Sequence, residues 1–383
     1  MNAVDGRESY LRTIARISEE RKAAQPIVRA VRKSGRDLWD TDIPQSWRTA
    51  GFVQELTAAA YDLLETDPRA SLTLAQIALA IAASIPAGTY EAPVQAQIEG
   101  TAWREIGTAH KYLSEYDASL RAYDAAHRAF ASANALAHDD AIVDFARAIV
   151  FVDLDRFDDA RKLLEKVEPL FRSFGDKRRL VHARILIGNI CLREQRWDDA
   201  RETFKALLPD VPEDDLYGRA AVNTNLANAY RELGRYDDAA PLYYTGLQIL
   251  KELGWTVEIT RAEWSIGRLL LLSGEFEKSS RMLERVRAAF LEQTIPEEAG
   301  LVGLELADAW IALGRMADAR QLISDILAEF TAANLNVHAV TALAYLRDVL
   351  PSTPKPEKAV RHVRDYVDRL RSEPSLIFLP LPE

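Results

Sequence analysis

Residues 223–239 read NTNLANAYRELGRYDDA, and this stretch decides the fold. It ends in the phrase Arg235-Tyr-Asp-Asp-Ala239, which recurs with a different aromatic residue at 156–160 and 196–200. Weaker copies begin at Glu115, Glu275 and Arg315. The last small residue of each phrase, or of a position that fits by spacing, is Ala70, Ser119, Ala160, Ala200, Ala239, Ser279, Ala319 or Ala359. After a first interval of 49 residues the spacing is 39 to 41 residues, which predicts a repeat architecture.

Each repeat reads as two helices on either side of the phrase. The stretch before the phrase carries a small residue at its middle, such as Gly188 or Ala227, and the stretch after it places Phe204 or Tyr243 four residues past the phrase. Spacings of three and four put such residues on one helical face. The sequence therefore predicts an all-α, right-handed α-solenoid of about eight helix pairs.

The aspartates of the phrase have an expected structural role. Asp158, Asp198 and Asp237 fall where the second helix of a pair begins. A carboxylate there can accept from free backbone N–H groups and is favoured by the helix dipole. We therefore expect these residues to cap helices rather than to form a catalytic carboxylate pair.

The repeat phrases resemble the tetratricopeptide repeat (TPR) along residues 47–371. The best match is the quoted stretch, followed by the units at 103–107 and 187–204. The period of about 40 residues is longer than the ~34 residues of the ordinary repeat. In this it is similar to the arrays of bacterial signalling proteins, such as peptide-responsive aspartate-phosphatase regulators and the sensor domains of maltose-activator-type regulators. The resemblance implies the fold and a binding role.

Two segments lie outside the repeats. Residues 1–46 are basic up to Asp40, and residues 7–34 read as a helix that we expect to cap the first repeat, with a separate binding role as the alternative. Residues 372–383 form an apolar tail broken by prolines. We expect this tail to pack on the last helices, because a free apolar tail promotes aggregation; a recognition peptide is the alternative.

The composition limits the function classes. The 383 residues include 48 Lys and Arg against 58 Asp and Glu, a net charge of −10, which argues against nucleic acid as a partner. No apolar stretch approaches the ~20 residues of a membrane span. The N-terminus lacks the apolar run of a secretory signal. We therefore expect a cytoplasmic protein without direct nucleic-acid or membrane binding, and the resemblance implies a bacterial source.

The sequence lacks the usual marks of an enzyme. No two of the six histidines have metal-pair spacing, and no phosphate-binding glycine loop or nucleophile elbow is present. The single cysteine, Cys191, falls at an inward repeat position, where a thiol is inert. The sequence predicts no catalytic residues, no cofactor and no metal.

The resemblance implies a partner-binding groove on the concave face, which is lined by the first helix of each pair. Transferring the family's groove positions to this sequence selects Arg104, Thr108, Lys111, Phe145, Ile149, Asn189, Arg193, Thr224, Asn225, Asn228, Arg231, Arg261, Trp264 and Arg268. The sixth unit contributes Leu301, Leu304, Asp308, Ile311 and Ala312. The asparagines match family residues that bind a peptide backbone, and the arginines predict a solvent-facing basic strip suited to an acidic segment. The alternative is that the arginines are solvated or pair with neighbouring acids.

We therefore expect a non-enzymatic, regulatory scaffold that binds a protein or peptide, possibly acidic. One alternative is a sensor subunit for a peptide or small ligand that acts with a transcription or signalling partner. Another is an assembly factor that works by self-association. The sequence leaves the oligomeric state open.

Overall fold

The structure is a computed structural model that describes residues 3–34, 43–132, 136–370 and 373–381. Within these residues every regular element is helical and no strand occurs, which confirms the all-α prediction. Two compact units are present, Met1–Asp176 and Lys177–Glu383. The predicted cap and tail extend into residues 1–2, 35–42, 371–372 and 382–383, which lie outside the described residues.

The first unit contains seven α-helices in its described residues. They are α1 (Ala3–Ser34), α2 (Ala50–Leu63), α3 (Pro68–Ser84), α4 (Ala92–Tyr112), α5 (Tyr116–Ala131), α6 (Ala137–Asp153) and α7 (Phe157–Ser173). The long helix α1 packs on α2. There the Glu20 carboxylate accepts from the Tyr90 hydroxyl at 2.7 Å and from the Gly51 backbone N–H at 3.2 Å.

The second unit contains ten α-helices in its described residues. They are α8 (Lys177–Arg193), α9 (Trp197–Leu207), α10 (Leu216–Glu232), α11 (Tyr236–Leu253), α12 (Thr256–Leu272), α13 (Phe276–Glu292), α14 (Pro296–Ala312), α15 (Met316–Ala332), α16 (Val337–Val349) and α17 (Pro356–Arg369). Helices α2 to α17 form eight consecutive pairs, as the period predicts.

The small residues of the repeat allow the two helices of a pair to approach closely. A Cβ atom added at Gly188 would lie 2.4 Å from the Phe204 ring, and one added at Gly107 would lie 2.6 Å from the Tyr123 ring. Phe204 and Tyr123 are fully buried, as are Ala160, Ala200 and the other phrase alanines. The aromatic side chain of the second helix therefore fills the space beside the small residue of the first.

The phrase aspartates do not cap the helices as predicted. Arg156 occupies the position before α7, and its side chain makes no hydrogen bond to the free backbone N–H groups. Its Nε donates instead to Asp159 Oδ2 at 2.8 Å, whereas Asp158 is exposed. The same arginine–aspartate pair recurs at the start of α9 and α11. The capping prediction is wrong because the aspartates lie within the first turn, where they can still complement the helix dipole.

The last helix pair departs from the regular order. Helix α16 packs on α15, whereas α17 packs on α14, the first helix of the preceding pair. An ion pair between Arg361 Nε and Asp308 Oδ2 at 2.9 Å joins α17 to α14. As a result, α14 is buried along most of its length.

The C-terminal tail packs on this last pair, as predicted. The Phe378 ring contacts the rings of Tyr345, His362 and Tyr366, with centroids 4.9 to 5.5 Å apart. The Tyr366 hydroxyl donates to the backbone oxygen of Leu376 at 2.6 Å. The side chains of Ile377 and Leu379 point outward, whereas Leu376 and Phe378 pack on the hydrophobic core of the last helices.

Candidate binding groove

The first helices of neighbouring pairs are in contact within each unit. Helix α4 contacts α2 and α6 in the first unit, and the sequence α8, α10, α12 and α14 forms a row in the second. We call this row the first-helix face. All fourteen predicted groove residues lie on first helices: five on α4 and α6, and nine on α8, α10 and α12.

Three asparagines form a hydrogen-bonded cluster at the centre of the second unit's face. Asn225 Nδ2 on α10 donates to Asn189 Oδ1 on α8 at 2.8 Å, and Asn228 Nδ2 lies 3.4 Å from Asn225 Oδ1. All three side chains are half-buried. We call Asn189, Asn225 and Asn228 the amide cluster. An amide offers two donors and two acceptor lone pairs, so the cluster keeps hydrogen-bonding capacity for a ligand.

Arg231 is not the solvent-facing residue that the sequence predicted. Its side chain is 9% exposed. One guanidinium nitrogen donates to the Tyr243 hydroxyl at 2.9 Å and to Asn228 Oδ1 at 3.1 Å, and the other donates to Glu232 at 2.6 Å. The prediction is wrong because the Tyr243 hydroxyl and the Asn228 side-chain oxygen accept hydrogen bonds from the guanidinium group and hold it away from solvent. Arg231 therefore holds Asn228, one member of the amide cluster, in place.

The remaining arginines of the face on α12 are held by carboxylates of α14. Arg261 lies 2.9 Å from Glu298, and Arg268 binds Glu305, which is fully buried. Glu305 also accepts from Trp264 Nε1 at 2.7 Å. Burial lowers the pKa of the Arg268 guanidinium, but the Glu305 carboxylate outweighs this effect, so that the pKa lies above its ordinary value. These ion pairs neutralise much of the predicted basic strip, in line with the alternative that the arginines pair with acids.

Two further groove residues of the second unit lie beside the amide cluster. Arg193 is exposed near the end of α8. Thr224 points towards α11, where a Cβ atom added at Gly246 would lie 2.6 Å from its hydroxyl oxygen. Thr224 is therefore partly a packing residue.

In the first unit the groove residues are likewise paired or packed. Arg104 donates to Glu105 at 2.8 Å, and the Thr108 and Tyr123 hydroxyls lie 3.2 Å apart. The Lys111 ammonium lies 4.3 Å from the Tyr112 ring centroid, and burial lowers its pKa. Phe145 and Ile149 on α6 are half-buried, so that they present a partly accessible apolar patch.

Three of the five sixth-unit positions do not line a groove, whereas Ile311 is half-buried and Ala312 is exposed. Leu301, Leu304 and Asp308 are at most 3% exposed. The prediction is wrong because α17 covers this side of α14 and Arg361 binds Asp308. Helix α17, the second helix of the last pair, occupies the place where the first helix of that pair would lie in a regular array.

The sequence analysis missed the carboxylates that bind the groove arginines. Glu105 and Glu305 hold the same repeat position as Asn225, two residues after the position of the family's tryptophan. Their recurrence could have indicated that this position points along the first-helix face. Glu298 gave no such signal, because it precedes the positions that the family pattern defines.

The described residues contain no candidate metal site and no candidate membrane-spanning helix. Within them, no group of three or more His, Cys, Asp or Glu side chains is arranged to hold a metal ion. None of the described helices is long and apolar enough to cross a membrane. The face instead offers amides, hydroxyls and paired charges, which suit an extended polypeptide.

Comparison with known proteins supports the repeat assignment. Sequence models of the tetratricopeptide repeat match residues 180–252, 218–292 and 265–334. No curated protein matches the sequence significantly.

Several solved structures have the same fold. A Rap protein in complex with competence and sporulation factor has a TM-score of 0.54 at 13% identity, over 93% of this chain and 99% of that one. NprR in complex with its cognate peptide NprX has a TM-score of 0.51 at 14% identity, over 96% and 99%. Aspartyl phosphate phosphatase F from Bacillus subtilis has a TM-score of 0.53 at 13% identity, over 98% and 95%. At these identities the likeness shows a shared fold.

Proposed function

Because this chain is a tetratricopeptide repeat protein, we propose that it is a non-enzymatic regulatory scaffold whose first-helix face binds an extended protein or peptide segment. The observation that carries the proposal is the amide cluster. Its asparagines belong to two neighbouring pairs and are half-buried; Asn225 binds Asn189, and Asn228 is held by Arg231 and Tyr243. Pre-organised amides can bind the backbone of an extended chain with little loss of side-chain entropy.

The solved structures support a polypeptide partner. NprR, which shares the fold, is seen with its cognate peptide. An acidic partner remains a prediction. Arg261 and Arg268 are already bound to glutamates. We therefore expect the affinity for the partner to rest mainly on hydrogen bonds to the amides and to change little with salt concentration. We also propose a cytoplasmic location in a bacterial cell.

A sensor subunit is the second candidate. It is favoured by the same likeness to a peptide-bound regulator. In this case a peptide or small ligand would bind first, and the repeat array would then act on a transcription or signalling partner. Such a ligand should raise the melting temperature of the purified protein, because it binds only the folded state.

The scaffold proposal is tested by affinity capture with the intact protein, read by mass spectrometry, followed by affinity measurement with the captured segment. The variant is Asn189→Ala/Asn225→Ala. Removing both members of the Asn189–Asn225 hydrogen bond leaves no unpaired half of that bond, and Asn228, which loses only a contact of 3.4 Å, keeps its bonds to Arg231 and Tyr243. A hydrogen bond contributes ~0.5–1.5 kcal/mol, so losing both amides should weaken binding about tenfold.

The matched control is Gln248→Ala on the second helix α11, whose amide donates to Glu252 at 3.3 Å. It should bind as tightly as the wild type. Equal affinity of the double variant for every captured partner would contradict binding at the amide cluster. A concentration-dependent mass with no captured partner would favour self-association instead.

A further inference from the structure

Three of the eight turns between the two helices of a pair carry a common arrangement. The arginine that begins the phrase stacks on an aromatic ring at the end of the first helix and binds the aspartate three residues later. The three clear examples are Arg156 on Phe151 with Asp159, Arg235 on Tyr230 with Asp238, and Arg315 on Trp310 with Asp318. In these turns the arginine covers the end of the first helix.

The α12–α13 pair lacks this arrangement. Glu275 replaces the arginine and Leu270 replaces the aromatic residue. Glu275 binds Lys278 instead, so that the pair has the reverse polarity. What remains is an open groove of about 560 Å³ between α11 and α13. We call it the α11–α13 groove; its main lining residues are Tyr244, Leu269, Leu270, Arg281, Met282 and Arg285.

One wall of the α11–α13 groove is basic. Arg281 and Arg285 lie four residues apart on α13, so they share one helical face, and both are exposed. In the part of the chain that the structure describes, no carboxylate binds either of them; Arg285 makes only a contact of 3.0 Å with the Met282 sulfur. This contrasts with the turn arginines and with Arg261 and Arg268, which are bound to carboxylates.

The floor is mainly apolar, and the other wall carries Tyr236, Ala240 and Tyr244 together with the carboxylate of Asp237. The Tyr244 side chain on α11 is 53% exposed and faces the groove, whose floor is formed by Leu269 and Leu270 of α12. Lys278 to Arg285 spans seven residues, or about 10 Å of helix at ~1.5 Å per residue. This length suits about two turns of a bound helix.

The first unit shows the same relation between turn residue and groove. Its phrase begins with Glu115, which binds His110, and a groove of about 470 Å³ lies beside this turn. Arg121 lines that groove and lies 160 residues, or four periods, before Arg281. A glutamate therefore begins the phrase at the turn beside each of these two grooves.

We propose that the α11–α13 groove is a second docking surface, separate from the first-helix face, for an acidic protein segment with an apolar anchor. The carboxylates of that segment bind Arg281 and Arg285, and its apolar side chain packs on Leu269, Leu270 and Tyr244. Charge complementarity carries this choice of partner: two exposed arginines without carboxylate partners lie beside an apolar floor, in a protein whose net charge is −10.

The test uses a phage-displayed library of random dodecapeptides, selected on the intact wild-type protein and counter-selected on Arg281→Glu/Arg285→Glu. The enriched peptides should be acidic, with Leu or Phe at spacings of three or four. A labelled synthetic copy, followed by fluorescence anisotropy, should bind the double variant at least tenfold more weakly than the wild type. Asn189→Ala/Asn225→Ala should leave this affinity within twofold, which separates the groove from the first-helix face.

The matched control is Arg69→Glu/Arg320→Glu, two exposed arginines on α3 and α15 whose reversal changes the net charge equally. It should bind within twofold of the wild type, and circular dichroism should show that both double variants remain folded. Enrichment of neutral or basic peptides, no enrichment, or equal loss in the control would overturn the proposal. So would a wild-type dimer that Arg281→Glu/Arg285→Glu dissolves, because a second copy would then be the occupant.

Discussion

At the scale of single residues, the polar side chains inside the repeats are held by partners from a neighbouring helix. Glu305 is fully buried and binds both Trp264 and Arg268 from α12, and Asp144 is buried between His127 and Lys166. A buried charge that loses its partner is costly, because water cannot replace the lost interaction. Such positions are therefore sensitive to substitutions that a surface position would tolerate.

Arg231→Glu should destabilise the protein. The new carboxylate would face Glu232 and the acceptor oxygen of Asn228, in a site that is 9% exposed. We expect a loss of about 3 kcal/mol in the free energy of unfolding, measured by urea denaturation. Arg320→Glu, at an exposed position of α15, is the matched charge reversal and should cost no more than ~0.5 kcal/mol. Similar effects of the two changes would show that the Arg231 site is not buried.

His127 should make stability depend on pH. Burial lowers the pKa of His127, but Asp144 and Asp140 outweigh this effect and the pKa lies above its ordinary value. Because the pKa is higher in the folded state, protonated His127 stabilises the fold. This stabilisation is complete below the unfolded-state pKa of ~6.5 and is lost as the pH rises through the folded-state pKa. His127→Gln should therefore reduce the free energy of unfolding more at pH 5.5 than at pH 8.5. The reverse order would contradict this assignment.

At the scale of elements, the regularity of the pairs ends at α16 and α17. Helix α17 packs on α14, and the tail then crosses the last pair with Leu376 and Phe378 turned inward and Ile377 and Leu379 turned outward. This alternation is the pattern of an extended segment lying on an apolar surface. The tail is thus a structural part of the last pair.

Phe378→Ala should lower stability by about 2 kcal/mol, because it removes ring contacts with Tyr345, His362 and Tyr366. The neighbouring change Leu379→Ser alters a side chain that is 73% exposed and should have an effect below ~0.5 kcal/mol. Thermal unfolding followed by circular dichroism compares the two variants. An unchanged melting temperature for Phe378→Ala would mean that the tail is not held by this ring.

The helix pairs could be predicted from the sequence because small residues recur at one position in nearly every repeat. The partners of the groove arginines could not. Arg268 and Glu305 are 37 residues apart, and their contact depends on the angle between α12 and α14. The packing of α17 on α14 was equally hidden, since the sequence of α17 is amphipathic whichever neighbour it covers.

At the scale of the whole molecule, each repeat contacts mainly its neighbours, so the chain should behave as an assembly of local stacks. Each of the two compact units contains a large hydrophobic cluster of its own. In such arrays, stability is close to a sum of repeat and nearest-neighbour contributions. This predicts that one unit can fold without the other.

The fragment Lys177–Glu383 should give a helix-dominated far-ultraviolet circular dichroism spectrum and a cooperative melting curve. The amide cluster and the α11–α13 groove both lie within it. It should therefore keep whatever ligand these two surfaces bind. A disordered spectrum would show that the second unit depends on the first for its stability.

The exchange of arginine for glutamate at one turn has a consequence for how such proteins diversify. Glu275 and Glu115 leave their helix pairs stacked as in the neighbouring repeats, yet each stands beside an open groove. On the proposal that the α11–α13 groove binds a partner, a lineage can alter a recognition surface near a turn without rebuilding the interior. Selection on new partners and selection on folding then act on different residues, so that repeat arrays can evolve new specificity while their architecture is preserved.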